Sequence, residues 1–114
     1  MVSKINSIAV LGAGTMGAGI AALAADKNCK VLLLDITQEA AQKGKDSMIS
    51  GRNPMLHDAS KIDNVEIGTF NENFEDIKDY DWICEVVVEK LDIKRQIFEK
   101  VEKFRKNDSI VSSN

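Results

Sequence analysis

Apolar residues gather in five runs along the chain, and the segments between them change character in step. Ile5 to Leu11 mixes β-branched and small residues and stops at a glycine, which marks a short buried strand. Gly14 to Lys27 is rich in alanine with Ile20 and Leu23 interspersed, a composition that favours a helix lying close to a sheet. Asn28 suits the position just past a helix end. Lys30 to Leu34 is a continuous apolar run, as expected of a parallel strand covered on both faces. Gln38 to Met48 reads as a polar helix resting on the sheet through Ala41 and Met48. The stretch 49–64 is irregular, because Pro54 disfavours helical geometry in the residue before it. Val65 to Phe70 predicts a third strand, Glu72 to Lys78 a helical turn or short helix, and Asp81 to Val88 a fourth strand. Glu85 is an acidic residue inside that apolar run, and the pattern gives no account of it. Leu91 to Lys106 places Ile93, Ile97, Val101 and Phe104 on one helical face. Ser109 to Ser112 closes the series as a fifth strand.

Strands alternating with helices in this order predict an α/β fold, a doubly wound parallel sheet of about five strands with helices on both faces. The first strand, helix and second strand form one right-handed βαβ unit. In such a fold ligands sit at the carboxyl ends of the strands, where the two halves of the sheet diverge. That edge collects Gly12 to Gly17, Asp35, the strand end from Val86 to Glu89, and Ser112 to Asn114.

Gly12, Gly14 and Gly17 stand in G-x-G-x-x-G spacing between the first strand and the first helix. Gly12 permits the tight turn, Gly14 lets a pyrophosphate approach bare backbone, and Gly17 lets helix and strand pack closely. The amides of Thr15 and Met16 then face outward as first-turn donors at the positive end of the helix dipole. Glycine turns also join strands to helices where nothing binds, so the next acidic residue matters. Asp35 closes the second strand eighteen positions after Gly17, near the roughly 20 at which a carboxylate meets the adenosine ribose hydroxyls. A carboxylate there repels a 2′-phosphate, which favours NAD over NADP. The other reading of Asp35 is the first residue of the turn before the next helix.

Composition narrows the picture little. The chain has 114 residues, 44% of them hydrophobic and 29% charged, which suits one domain over 1–114 with a single core. A net charge of −3 without a basic stripe argues against a nucleic-acid partner. No apolar run approaches the roughly 18 residues of a membrane span, and Met-Val-Ser-Lys runs into the first strand without a secretory signal, so a cytoplasmic location is expected. Cys29 and Cys84 lack Cys-x-x-Cys spacing and read as reduced packing residues, and no metal site is expected. His57, the single histidine, has no catalytic or metal-binding company and reads as an exposed loop residue. Arg52 reads as a surface charge.

The run from Ala9 to Ala21 resembles the opening of the L-3-hydroxyacyl-CoA dehydrogenase family. So do Trp82 to Phe98, with its Val-Val-Glu-x-Leu-x-Ile-Lys core, and the closing Ile-Val-Ser-Ser-Asn114. The second of these is the most discriminating, since many Rossmann domains share the glycine turn alone. The resemblance spans nearly the whole chain. The short connection at 49–64 departs from the long helical hairpin of the mitochondrial type and is similar to larger bacterial members. The resemblance implies an NAD-dependent oxidoreductase of fatty-acid β-oxidation that interconverts 3-hydroxyacyl-CoA and 3-ketoacyl-CoA. It implies that Gly12, Gly14, Thr15, Met16 and Gly17 hold the pyrophosphate and Asp35 the adenosine ribose. Val86 and Val87 would border the adenosine half, Glu89 and Lys94 would reach the nicotinamide ribose side, and Asn114 would close that edge. Taken without the resemblance, Glu89 and Lys94 can also be a surface ion pair worth about 0–1 kcal/mol.

In the family a histidine base and its glutamate partner follow the closing motif, so no catalytic residue is assigned in this chain. The chain alone is expected to be catalytically silent, with acyl-CoA binding and homodimer formation belonging to the complete enzyme. Two other functions remain open: a non-catalytic NAD-binding module, and a dehydrogenase of related fold acting on a hydroxy acid not linked to CoA.

Overall fold

The computed structural model describes residues 6–50, 55–86, 91–106 and 109–113, with backbone alone for residues 91–94 and 113. Its five strands are β1 (Ser7–Leu11), β2 (Lys30–Asp35), β3 (Val65–Thr69), β4 (Trp82–Glu85) and β5 (Ile110–Ser113). All neighbouring strands pair in parallel, in the spatial order β3-β2-β1-β4-β5. The chain grows outward from β1 through β2 to β3, then crosses to the other side of β1 at β4. The carboxyl ends of β1 and β4 are therefore the switch point of the sheet.

Helices α1 (Thr15–Asp26) and α2 (Gln38–Ser47) make the first two crossovers up to a 3-10 turn at Ala59–Asn64. Helix α3 (Phe70–Asn73) runs on into a second 3-10 segment, Phe74–Asp79, and α4 (Leu91–Phe104) joins β4 to β5. The two faces of the sheet bury separate cores. Ile8, Val10, Val31 and Leu33 pack beneath α1 with Met48 and Leu56. Ala9, Leu11, Leu32, Leu34 and Ile83 pack beneath Phe74, Ile77, Ile97 and Val101. Strands buried on both sides need apolar residues at successive positions, hence the unbroken Val31 to Leu34.

Helix α1 turns Gly17, Ala18, Ala21, Ala22 and Ala25 inward, and these small residues let its backbone lie near the strands. It ends in a Schellman motif: Asn28 N–H donates to Ala25 O at 3.0 Å and Cys29 N–H to Ala24 O at 3.0 Å. Asn28 takes the left-handed conformation this motif requires, at φ 67°. Helix α2 is polar, as expected, and reaches the interior through Ala41, Gly44 and the fully buried Met48 that follows it.

Three boundaries differ from the sequence expectation. The fourth strand ends at Glu85 and leaves out Val86, because β1 leaves the sheet at Gly12 and β4 then has no strand partner on that side; Val87 and Val88 lie outside the described residues. The helical turn expected over 72–78 divides into α3 and the 3-10 segment, with Thr69 Oγ1 accepting from the Glu72 N–H at 3.1 Å. Within 49–64, Asp58 caps the 3-10 turn by accepting from Ser60 N–H at 3.0 Å.

At the amino-terminal edge, Asp81 ties three segments together. Its carboxylate accepts the Asn6 N–H at 3.0 Å and pairs with Lys106 after α4, while its own N–H donates to Ser7 Oγ at 3.0 Å. The Lys106 bond, and next the Asn6 amide, hold the Asp81 carboxyl below its ordinary value. Further along, Trp82 Nε1 donates to Ser112 Oγ at 2.8 Å and links β4 to β5 by side chains.

Candidate functional site

At the carboxyl edge the chain leaves β1 through Gly12, whose φ of 120° is one that side chains rarely adopt. Gly12 N–H donates to Leu34 O at 2.8 Å, so the turn is anchored on β2. A side chain at Gly17 would start 1.8 Å from Gly12 O and 3.0 Å from a Val86 methyl. Gly14 differs from both: a Cβ there meets nothing within 4 Å, and its φ of −68° suits any residue. It is the N-cap of α1 yet brings no side chain to cap it, and the first turn of α1 contains no acidic residue. Helix α2, by contrast, has the Thr37 hydroxyl accepting from the Ala40 N–H and Glu39 in its first turn. The positive end of α1 thus opens beside Gly14, Thr15 and Met16, all exposed.

Asp35 ends β2 beside this turn. Its Oδ2 accepts the Ala13 N–H at 2.8 Å and its Oδ1 accepts the Ile36 N–H at 2.6 Å. Ile36 follows with 56% of its surface exposed, an apolar wall next to the carboxylate. Val86 forms the floor: its side chain is buried against the start of α1, and its N–H donates to Leu11 O at 3.0 Å. The expected site residues Val87, Glu89 and Asn114, and the side chain of Lys94, lie outside the described residues. The structure thus gathers Gly12, Gly14, Thr15, Met16, Gly17, Asp35 and Val86 at one edge of the sheet.

Glu85, unexplained by the sequence, is completely buried at the end of β4, level with Leu11 on β1 and Ser113 on β5. Among the described residues no buried side-chain oxygen or nitrogen lacks a hydrogen bond, so this carboxyl group is satisfied within the fold. His57 is exposed, and its backbone N–H donates to Asp26 Oδ2 at 3.0 Å. Neither Cys29 nor Cys84 is in a disulfide, and Cys84 lies in the core beneath α1. Sequence reasoning missed Ala13, Ile36 and Gly44. An apolar residue directly after the acidic strand end was a usable signal for Ile36. Nothing in the pattern marked Gly44, where a Cβ would lie 2.6 Å from Ala13 O.

A parallel sheet with its switch point beside a glycine turn, a helix start with glycine as its N-cap and an acidic strand end defines a dinucleotide-binding domain of the doubly wound class. Residues 7–114 match the family described as 3-hydroxyacyl-CoA dehydrogenase, NAD binding domain, and the chain belongs to that family. Among its relatives is a probable 3-hydroxyacyl-CoA dehydrogenase of Deinococcus radiodurans, 39% identical over 97% of this chain and 34% of that protein. A putative fatty acid oxidation complex trifunctional enzyme of Rickettsia felis is 36% identical over 100% of this chain and 17% of its own length. The (S)-3-hydroxybutyryl-CoA dehydrogenase of Ralstonia eutropha superposes with a TM-score of 0.78 at 28% identity, covering 97% of this chain and 41% of that one. The chain therefore spans about a third or less of the length of these two curated relatives.

Proposed function

We propose that Gly12 to Gly17 and Asp35 hold NAD, and that the chain is the cofactor-holding part of a dehydrogenase acting on 3-hydroxyacyl-CoA. The observation that carries the binding site is the start of α1, where the N-cap Gly14 makes no side-chain cap bond, the first turn has no acidic residue, and a Cβ at Gly14 would meet nothing within 4 Å. An anion there meets first-turn amides and the positive end of the dipole. The backbone conformation and the space around Gly14 both tolerate a side chain, so a bound pyrophosphate supplies the reason for glycine. Asp35 accepts the adenosine ribose hydroxyls, and Ile36 lies against the adenine. Glu89, Lys94, Val87 and Asn114 extend the site toward the nicotinamide.

The chemistry that NAD would supply at this site is acceptance of a hydride from the substrate carbon that carries the hydroxyl. The chain's own residues hold and orient the cofactor, and the proton-accepting group belongs to the part of the relatives that this chain does not match. The acyl-CoA and a second copy of the protein belong with that part too. No described helix is long and apolar enough to cross a membrane.

Calorimetric titration of the chain with NADH and NADPH tests the reading. NADH binds at least tenfold more tightly, because Asp35 repels the 2′-phosphate and no arginine follows it directly. Equal affinities, or none for either, overturn it. The same preparation shows no turnover of acetoacetyl-CoA with NADH, and measurable turnover would place the acid–base group within these residues.

A further inference from the structure

We infer that Asp35 is a positioning residue for the glycine turn as well as the seat of the ribose, so that one carboxylate couples the two halves of the nucleotide site. This rests on the dinucleotide reading above and adds a second task to the same side chain.

The turn is gripped from the β2–α2 side at three points. Gly12 N–H reaches Leu34 O at 2.8 Å, and Ala13 N–H reaches Asp35 Oδ2 at 2.8 Å. The carbonyl and methyl of Ala13 lie so close to α2 that a Cβ on Gly44 would come within 2.6 Å and 2.8 Å of them. Of the three contacts, only the bond to Asp35 depends on an ionised side chain. Charge-assisted bonds of this kind are about twice as strong as neutral ones. Ala13 directly precedes Gly14, so its orientation sets the direction in which the first amides of α1 point.

The two tasks do not compete. A carboxylate offers about four acceptor sites. The Ala13 and Ile36 amides use one on each oxygen, and one on each is left for the two ribose hydroxyls. The Asp35→Asn substitution would keep a single acceptor oxygen and turn an NH2 group toward one of the two backbone donors.

Two ligands separate the tasks: ADP, and 2′,3′-dideoxy-ADP, which lacks both ribose hydroxyls. Calorimetry on the wild-type chain and on Asp35→Asn measures both. If Asp35 also positions the turn, the substitution weakens dideoxy-ADP by about fivefold, the scale of one ordinary hydrogen bond. It weakens ADP further, and the ratio of the two affinities falls toward one. Unchanged dideoxy-ADP affinity alongside weakened ADP overturns the proposal and leaves Asp35 a ribose ligand only.

Hydrogen exchange of the Ala13 amide in the ligand-free chain gives a second measurement that needs no ligand. The amide is protected in the wild type and exchanges faster in Asp35→Asn, while amides in the middle of β1 keep their protection. Free exchange in the wild type overturns the proposal even if the variant fails to fold. Failure of the wild-type chain to bind ADP counts against the dinucleotide reading, whereas the Ala13 exchange decides the contact with the turn.

Discussion

Gly12, Gly14 and Gly17 are one residue type kept for three different reasons. Gly12 answers to backbone conformation, Gly17 to the 1.8 Å left between its would-be Cβ and Gly12 O, and Gly14 to neither. Substitution separates them. Gly17→Ala forces helix and turn apart and destabilises the chain by about 3 kcal/mol, at the upper end for overpacking, read as a lowered urea midpoint. Gly14→Ser puts a good N-cap side chain at a position with φ −68° and ψ −173°, so the folded chain gains a few tenths of a kcal/mol. The same hydroxymethyl group enters the space reserved for pyrophosphate, and NADH affinity falls at least tenfold. A stabler variant that binds as tightly as the wild type would remove the ligand-based account of Gly14. The turn at Gly12 and the close packing at Gly17 were legible in the sequence, because the G-x-G-x-x-G spacing has few physical explanations. Ala13 and Gly44 were not, since a contact between a turn and the second helix leaves no periodic mark.

Elements were legible where burial imposes a pattern and less so where hydrogen bonds between strands decide the boundary. Val31 to Leu34 and the face formed by Ile97 and Val101 follow from apolar spacing alone. The end of β4 does not: Val86 is as apolar as Trp82 to Cys84, and the departure of β1 at Gly12 limits the strand. At the end of α1, Asn28 holds a φ of 67° and pairs with Lys61 through its side chain. Asn28→Ala therefore costs about 1 kcal/mol, because alanine keeps the Cβ that crowds the following carbonyl in the left-handed region and lacks the side-chain amide that lets asparagine tolerate it. Asn28→Gly relaxes that strain and stays within about 0.5 kcal/mol of the wild type. Thermal unfolding of the pair checks the assignment, and equal losses would mean that the Lys61 contact, not the backbone, sets the cost.

Across the whole molecule, Asp81 closes the amino edge of the sheet, opposite the glycine turn. The Asp81 carboxyl is held below its ordinary value in the folded chain, chiefly by Lys106. Its stabilisation is present above the ordinary carboxylate value of about 3.9 and is lost as pH falls through its lowered folded value. Asp81→Asn is expected to be less stable by about 1 kcal/mol at neutral pH. It also loses stability less steeply than the wild type below about pH 4, and parallel acid limbs in urea titrations would rule this out. Sequence reasoning placed Asp81 at the start of a strand but could not see Asn6, Ser7 and Lys106 around it. Those partners lie up to 75 positions away and meet only through the strand order.

The indole of Trp82 reaches along the sheet to Ser112 Oγ, and it is the only tryptophan in the chain. Strand β5 thus has an optical label built into its neighbour β4. Emission colour and quenching report whether β5 is seated on β4, without a dye or an added cysteine. In a refolding experiment that signal separates arrival of β5 from formation of the β1–β2–β3 half, which contains no tryptophan.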